Sequence, residues 1–393
     1  ALRRAGAENL QDFQNLEGLY PSGREDILTM QRLSPYLLGF ERYMVKPGDT
    51  YYRLARTFGT SVRAILTANP NQDPNRLLAG QYLNLPYGFP VVPTDIPFTS
   101  ELLQVCIQGL MARYPFLARR TIATTLYRRP VTALSIGSGP RAVLYNASHH
   151  ANEWITTPVL MKFLEEYAHA VSVNGRIFGL DAQRLFQQTR LYLVPMVNPD
   201  GVDLVTGAVA PGSEQYEAAR RIAAGYPDIP FPNGWKANLA GVDLNLNYPA
   251  NWDKAKQIKA SLGFDRPAPR DYPGEKPLDQ RETAALAAYT ACVRPGLLLA
   301  YHTQGRVIYP GGAALDPPGS AAIAAKLSAA SGYEVQNVPP ESSNAGYKDW
   351  FLARFHRPGF TIEAGLGENP LELSQLPQLL LENEPLLAAA LSL

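Results

Sequence analysis

Short runs of almost wholly apolar residues alternate with longer amphipathic stretches over most of the chain. Runs as short as these predict strands buried on both faces, as in a mixed, largely parallel sheet that is flanked by helices. They are Val143–Tyr145, Leu191–Val194, Leu297–Ala300 and Phe360–Ile362. The stretches between them have helical periodicity and predict helices at 155–171, 214–224, 279–292 and 319–331. We therefore expect residues 99–393 to form one α/β domain.

A second, smaller pattern precedes this region. A short strand at 43–46 is followed by turn residues, and Asp49 or Thr50 can cap a first helix. Ser61 can cap a second helix, and residues 82–86 alternate as a closing strand. Strand, helix, helix and strand in this order predict a compact βααβ module over residues 41–87.

The remaining segments are short. Residues 1–40 contain two short helical patterns and predict a helical leader whose role the sequence does not reveal. Residues 88–98 contain Pro90, Pro93 and Pro97 and predict a stiff, extended linker.

Composition excludes several classes of protein. The 393 residues carry 36 Lys and Arg against 35 Asp and Glu, so the basic excess of a nucleic-acid-binding protein is absent. No apolar run is long enough for a transmembrane helix. The two cysteines, Cys106 and Cys292, lie in apolar helical patterns and are expected to be buried free thiols.

The few histidines give the first indication of chemistry. His150 and Glu153 follow the strand at 143–145, and His302 follows the strand at 297–300. Sites in open α/β sheets form beyond the carboxyl ends of strands, where these residues lie. Two histidines and one carboxylate can bind zinc and leave one coordination position open. Taken alone, however, the His-x-x-Glu pattern is weak evidence and fits an ordinary buried or turn histidine better than a metal ligand.

Residues 43–71 and 77–86 together resemble a LysM module. Members of that family bind glycans that contain N-acetylglucosamine, such as peptidoglycan and chitin. The resemblance implies that the ligand lies between two loops of the module, which contain Gly48, Asp49, Thr50, Asn69 and Pro70. The alternative is that these residues serve only as turns and helix caps.

Five motifs, in order, resemble the zinc carboxypeptidase family over residues 99–393. They are the segments 150–156, 197–201, 241–245, 301–302 and 360–363. The resemblance implies that His150, Glu153 and His302 hold Zn²⁺ and that Glu363 is the general base. It also implies that Asp243 accepts the second ring N–H of His150.

Two positions depart from the digestive carboxypeptidases. Those enzymes have an arginine after the residue that matches Asn245, where it binds the substrate's C-terminal carboxylate, but this chain has Leu246. The arginine that polarises the scissile carbonyl is replaced by Lys236, which supplies a point charge rather than a planar fork. Recognition of an ordinary C-terminus is therefore not expected.

These departures resemble the γ-D-glutamyl-L-diamino acid endopeptidases, a branch that combines LysM modules with this catalytic domain. The implied reaction hydrolyses the amide between D-glutamate and meso-diaminopimelate or L-lysine in peptidoglycan stem peptides. Asn245, Lys348 and Asp349 are the expected substrate-binding residues, and Lys348 is expected to pair with a carboxylate of diaminopimelate. The alternative is that Lys348 is an ordinary solvated loop lysine. Segments 235–238, 267–272, 346–350 and 365–370 also resemble this branch.

Three alternatives remain open at this point. The chain can be an ordinary metallocarboxypeptidase, a glycan-binding protein without activity or, least in keeping with the motifs, a serine hydrolase that uses Ser138. A wall substrate favours an extracellular or wall-associated protein. The cytoplasm is the alternative, because residues 1–40 lack the pattern of a secretion signal.

Overall fold

A computed structural model of the chain describes residues 1–311, 315–338 and 344–393. These residues form two compact units. The first comprises 1–93, 101–118 and 168–174, and the second comprises 94–100, 119–167 and 175–393. The domain boundaries given by the sequence stay predictions.

The first unit contains the small βααβ motif. Strand β1 (Phe40–Met44) pairs antiparallel with β2 (Tyr82–Pro86), and α3 (Tyr51–Thr57) and α4 (Val62–Ala68) lie between them in the chain. The side chains of Thr50 and Ser61 accept backbone N–H groups of the helices that they cap. Apolar residues of α3, α4 and β2 form a buried cluster, and Tyr43 of β1 packs against it, which accounts for the compactness of the motif.

The rest of this unit is helical or irregular. Helices α1 (Leu10–Leu16) and α2 (Ile27–Leu38) occupy the segments with helical patterns, and Phe13 and Leu33 pack together. Residues 88–98 contain no helix or strand. Val91 and Val92 in this stretch are nevertheless buried, so part of the predicted linker is packed rather than solvated.

The second unit is built on an eight-stranded sheet. Its strands are β3 (Ala118–Thr124), β4 (Pro130–Ile136), β5 (Arg141–Asn146), β8 (Thr189–Val194), β9 (Leu297–His302), β10 (Val307–Tyr309), β11 (Glu334–Val335) and β12 (Gly359–Glu363). The strand order is β11-β10-β12-β9-β5-β8-β4-β3. Strands β12, β9, β5 and β8 are consecutive neighbours and run parallel, whereas β10 pairs antiparallel with β12, and β4 with β8. The predicted mixed α/β fold is thus confirmed.

Helices alternate with these strands along the chain, although nearly all of α5 and the last residues of α6 belong to the first unit. They are α5 (Ser100–Arg113), α6 (Thr156–Ser172), α7 (Ala182–Gln188), α8 (Pro199–Val205), α9 (Glu214–Ala223), α10 (Trp252–Ser261), α11 (Arg281–Val293), α12 (Ser320–Ser331), α13 (Tyr347–Phe355) and α14 (Leu376–Ser392). A two-residue ribbon, β6 (Arg176–Ile177) with β7 (Leu180–Asp181), precedes α7. Apolar side chains of the sheet and of α11 and α13 form a large buried core.

Three local expectations need correction. Strand β1 begins at Phe40 rather than Tyr43, because pairing with β2 extends to Pro86. Strand β9 continues to His302, whose backbone pairs with that of Glu363 on β12. Cys106 is buried as expected, but Cys292 is exposed, because the last turn of α11 is open to solvent at that position. Among the described residues, no helix combines the length and apolar character needed to cross a bilayer.

Candidate active site

Three residues of the candidate site lie at or just beyond the carboxyl ends of three adjacent parallel strands. His150 lies four residues beyond the end of β5, His302 is the last residue of β9, and Glu363 is the last residue of β12. Glu363 and His302 are register partners. Since parallel strands end at one edge of a sheet, residues far apart in sequence meet in one row.

The three predicted metal ligands converge on one point. A 3₁₀ turn at Ala151–Glu153 brings the Glu153 carboxylate back to His150, with Oε1 2.8 Å from His150 Nδ1. The other oxygen, Oε2, lies 2.9 Å from His302 Nδ1. The two Nδ1 atoms are 3.3 Å apart, and all three ligand atoms lie within 4.8 Å of one another. This two-histidine, one-carboxylate set fits a catalytic zinc site in its chemistry and mutual proximity.

Asp243 fixes the far side of the first histidine. Its Oδ1 lies 3.2 Å from His150 Nε2, and its Oδ2 accepts the backbone N–H of Asp271 at 3.2 Å. Burial raises the pKa of Asp243, but the attraction of His150 and the hydrogen bond to it outweigh burial and hold that pKa well below its ordinary value. The ionised carboxylate can therefore receive the Nε2–H and leave Nδ1 to bind a metal.

Glu363 lies in the opposite electrostatic environment from Glu153. Burial and repulsion by Glu153 raise the pKa of Glu363 to about 8. For Glu153, burial acts in the same direction, but the charges of His150, Lys236 and His302 outweigh it and lower the pKa. One carboxylate is thus held ionised as a ligand, while the other can carry a proton near neutral pH.

Lys236 supplies a cation next to the ligands. Its Nζ lies 3.4 Å from Glu153 Oε1, and it follows the fully buried Trp235. The backbone N–H of Lys236 donates to the carbonyl of Pro269 at 2.8 Å, which fixes this segment against the loop at 267–272. The ammonium is therefore placed where it can polarise a carbonyl bound at the metal site.

The other predicted substrate residues lie in the same cleft, which has a volume of about 940 Å³. Lys348 and Asp349, in the first turn of α13, form a buried pair with Nζ 3.2 Å from Oδ1. Lys348 Nζ also donates to the carbonyl of Pro310 at 2.8 Å. The Asn245 side chain accepts the backbone N–H of Tyr347 at 3.0 Å, and Leu246 lines the cleft where the digestive enzymes have arginine.

The five predicted glycan-binding residues all lie in or next to the loops of the small module, and the side chains of Asp49, Thr50 and Asn69 stabilise these loops. Asp49 Oδ2 accepts the Tyr43 hydroxyl and the Lys46 N–H, each at 2.8 Å, and Thr50 caps α3. The Asn69 side chain bonds to both backbone groups of Asn84, at 2.8 and 2.9 Å. Gly48 adopts a left-handed turn with φ +84°, and Pro70 follows the end of α4. Their contact with a glycan stays a prediction.

The three remaining histidines lie outside the ligand set. His149 is fully buried with Nε2 3.0 Å from the Tyr248 hydroxyl, whereas His169 and His356 are exposed.

Several supporting residues were not found from the sequence. The Asn198 side chain donates to the carbonyls of His149 and Ala237, at 3.2 and 3.0 Å, and accepts the N–H of Gly201. It therefore joins the segments that carry His150 and Lys236. Asn-Pro-Asp-Gly was recognised only as a motif, although an asparagine at this helix start could have suggested a cap.

Asn369 and Arg270 also lie in the cleft. Asn369 Nδ2 donates to the Thr303 carbonyl at 2.9 Å, next to the ligand His302. Both lie in segments that resemble the endopeptidase branch, 267–272 and 365–370, but that resemblance did not single out either residue.

Comparisons with known proteins agree with this geometry. The family model described as zinc carboxypeptidase matches residues 103–383, and that described as LysM domain matches residues 43–86. Both resemblances stated from the sequence are thereby confirmed.

Two relatives differ in how far their function is described. γ-D-Glutamyl-L-diamino acid endopeptidase 1 of Lysinibacillus sphaericus is 44% identical over 271 residues, which cover 68% of this chain and 66% of that protein. The uncharacterized protein YqgT of Bacillus subtilis is 36% identical over 306 residues, 77% of this chain and 79% of that one.

Solved structures support the fold. Bovine thrombin-activatable fibrinolysis inhibitor, solved in complex with tick carboxypeptidase inhibitor, superposes with a TM-score of 0.56 at 17% identity. The superposition covers 76% of this chain and 97% of that one. At this level of identity, the likeness concerns the fold alone.

Proposed function

The chain belongs to the zinc carboxypeptidase family, and on that premise we propose that it is a zinc-dependent endopeptidase of peptidoglycan stem peptides. Its substrate is the amide between the γ-carboxyl of D-glutamate and the amine of meso-diaminopimelate or L-lysine. The observation that carries this proposal is a complete ligand and base set beside a cleft in which Leu246 replaces the C-terminus-binding arginine. The activity named for the Lysinibacillus sphaericus relative supports the choice of bond.

His150, Glu153 and His302 would hold the zinc ion, which when bound acts as a Lewis acid towards the scissile carbonyl. Lys236 adds positive charge on the carbonyl side of the site. Glu363 takes a proton from the attacking water as the new carbon–oxygen bond forms. It then gives that proton to the amine nitrogen as the carbon–nitrogen bond breaks, so the carboxyl returns to its starting state.

The leaving diamino acid lies at the buried pair of Lys348 and Asp349. Lys348 faces a carboxylate of that residue, and Asp349 is close enough to attract its side-chain ammonium. A substrate that lacks either group leaves one of these two buried charges without the additional partner that the diamino acid supplies, which is the basis of selection. Asn245 holds the start of α13, and so positions the pair, through its bond to Tyr347.

The small module would bring the enzyme to its substrate. A LysM domain that binds wall glycan raises the effective concentration of the catalytic domain at the wall. Peptidoglycan is accordingly the proposed partner, and the cell wall or extracellular space is the proposed location.

Digestion of a stem peptide with an amidated C-terminus tests the proposal. The zinc-loaded chain is expected to cleave it, because no free C-terminus is needed when Leu246 lines the cleft. A chelator is expected to abolish the activity, and added zinc to restore it. An enzyme that cleaves only peptides with a free C-terminus would instead be a metallocarboxypeptidase.

A further inference from the structure

One cation in the cleft has no role in the reaction as described above. Among the described residues, the lysines and arginines that line the cleft are Lys236, Lys259, Arg270 and Lys348. Lys236 lies beside Glu153, and Lys348 bonds to Pro310 and Asp349. Lys259 is held at 2.5 Å by Asp271 Oδ1. The fourth of these cations, Arg270, is the one to which the proposed reaction gives no role and whose contacts leave part of its charged group available.

Arg270 is held by one edge only. Its Nε donates to Asp271 Oδ2 at 2.6 Å, and its side chain is 40% exposed. Within the described part of the chain, its two terminal nitrogens have no hydrogen-bond partner. The terminal N–H groups of a guanidinium form a planar fork that matches a carboxylate, so this arrangement presents a vacant anion-binding edge.

The loop that carries Arg270 is fixed to the catalytic residues. The carbonyl of Pro269 accepts the N–H groups of both Lys236 and Ala237, at 2.8 and 2.9 Å. The N–H of Asp271, which has a left-handed backbone with φ +65°, donates to Asp243 Oδ2. The backbone on either side of Arg270 is therefore fixed, by Lys236 on one side and by Asp243 on the other.

The charges around Arg270 keep it ionised. Burial lowers the pKa of Arg270, but the attraction of Asp271, together with that of Asp243 and Glu153, more than compensates and raises it. The guanidinium is already balanced in part by Asp271, so an additional anion must approach through the unpaired nitrogens.

The substrate contains an anion on the acyl side of the scissile bond. In a γ-linked D-glutamate the γ-carboxyl forms the amide, and the α-carboxylate stays free a short distance along the same side chain. Lys348 and Asp349, on α13, are assigned to the residue on the other side of the bond, whereas Arg270 neighbours Lys236 on the carbonyl side.

We infer that Arg270 binds the free α-carboxylate of the γ-linked D-glutamate and so selects it against the uncharged D-isoglutamine. This inference rests on the proposed function. Arg270 is a specificity-determining residue that contacts substrate, and it forms no covalent bond.

Two matched stem peptides with amidated C-termini test the inference, one with D-glutamate and one with D-isoglutamine. For the zinc-loaded full chain, kcat/KM is expected to be about 10- to 100-fold higher for the acid, the range for a charged hydrogen bond. Arg270→Gln is expected to lower only the value for the acid and to abolish the preference. Arg270→Lys should retain part of it, because lysine supplies a point charge.

Arg266→Gln is the matched control, since Arg266 lies in the same loop, is exposed and does not line the cleft. It should leave both rates unchanged. A second readout avoids catalysis: in a Glu363→Gln background, calorimetry should show tighter binding of the acid, and adding Arg270→Gln should remove the difference.

Different failures have different meanings. Equal cleavage of both peptides by the unmodified enzyme, or an Arg270→Gln loss of equal size for both, would overturn this inference alone. If the effect of Arg270→Gln depends on which diamino acid is present rather than on the D-glutamate carboxylate, Arg270 contacts the leaving side of the substrate. That result would also overturn the inference. Cleavage of neither peptide at the γ bond would overturn the proposed function and this inference with it.

Discussion

At the scale of single residues, three carboxylates in one small volume are driven to different protonation states. Attraction to neighbouring cations holds Glu153 and Asp243 ionised, although both are buried. Burial and the negative charge of Glu153 instead raise the pKa of Glu363 to about 8. A bound cation would lower that value, because it favours the ionised form. These different pKa values suit Glu153 to its role as a metal ligand, Asp243 to orienting His150, and Glu363 to proton transfer.

Glu363→Gln should leave zinc bound and remove the proton carrier. Glutamine keeps the size of the side chain but cannot accept a proton, so kcat is expected to fall by about 100-fold or more. Activity assays and metal content on the same preparation check this. Loss of zinc in parallel with activity, or retention of activity, would contradict the role of Glu363.

Asp243→Asn should weaken zinc binding rather than abolish folding. An amide orients His150 less well than a carboxylate does, and such changes typically cost about 10- to 100-fold in metal affinity. Competition with a chelator of known affinity measures the effect. Asp253→Asn, on the exposed side of α10, is the control, and equal affinities for the two variants would contradict the account.

At the scale of elements, the start of α8 braces two catalytic segments. A Cβ atom added at Gly201 would lie 2.6 Å from the carbonyl oxygen of Ala237 and 2.8 Å from Ala151 Cβ. Ala151 and Ala237 directly follow His150 and Lys236 in the chain, so a side chain at this position must displace catalytic backbone.

Gly201→Ala is therefore expected to lower both kcat and stability. Overpacking of this kind typically costs about 1–3 kcal/mol, since backbone rather than a flexible side chain has to move. Urea unfolding and steady-state kinetics measure the two effects. Gly225→Ala is the control, because its new Cβ would meet the Ile222 carbonyl at an ordinary 3.4 Å. Equal behaviour of the two variants would show that the close approach is unimportant.

The elements themselves were largely predictable from the sequence. Apolar runs located β5, β8, β9 and β12, and caps such as Thr50 and Ser61 located helix starts, because these signals are local. Strand ends were less predictable. The extension of β9 to His302 depends on pairing with β12, which is distant in the chain.

The site was predictable only where a motif carried the information. Motif order indicated His150, Glu153 and His302, and the structure brings them together. Arg270 and Asn369 lie in segments that resemble the endopeptidase branch, but the resemblance gave neither residue a role. Their places in the cleft depend on backbone contacts, such as that of Pro269 with Lys236, which periodicity does not encode.

At the scale of the whole molecule, buried acids with a raised pKa should make stability depend on pH, and Glu282 is one of them. Burial raises the pKa of Glu282, at the start of α11, from 4.5 to about 7. Below pH 4.5 the Glu282 carboxyl is protonated in both the folded and the unfolded chain. As pH rises through this interval the unfolded chain ionises first, so stability is lost, by up to about 3 kcal/mol above neutrality.

Glu282→Gln should remove the part of this loss that Glu282 causes. Urea unfolding with the metal removed measures the effect. As pH rises from 5 to 8, the free energy of unfolding of the variant should increase relative to that of the unmodified chain. The exposed control Glu101→Gln should show no such trend. A difference in the free energy of unfolding between Glu282→Gln and the unmodified chain that stays constant from pH 5 to pH 8 would contradict the raised pKa of Glu282.

The glycan-binding module should matter only for an insoluble substrate. Soluble oligomers of N-acetylglucosamine are expected to slow the release of peptide from intact wall, because they occupy the module and remove the local concentration effect. They should not slow hydrolysis of a soluble stem peptide. Oligomers of glucose serve as the control, and equal inhibition on both substrates would contradict a targeting role.

The central claim is the identity of the bond, and digestion in heavy-oxygen water tests it most directly. Hydrolysis places one oxygen of water on the carbonyl carbon that is attacked. Mass spectrometry of a stem tetrapeptide with an amidated C-terminus should show the label on the fragment that ends in D-glutamate, at its γ-carboxyl, with an unlabelled diamino acid fragment. Label on any other carboxyl group would contradict the account.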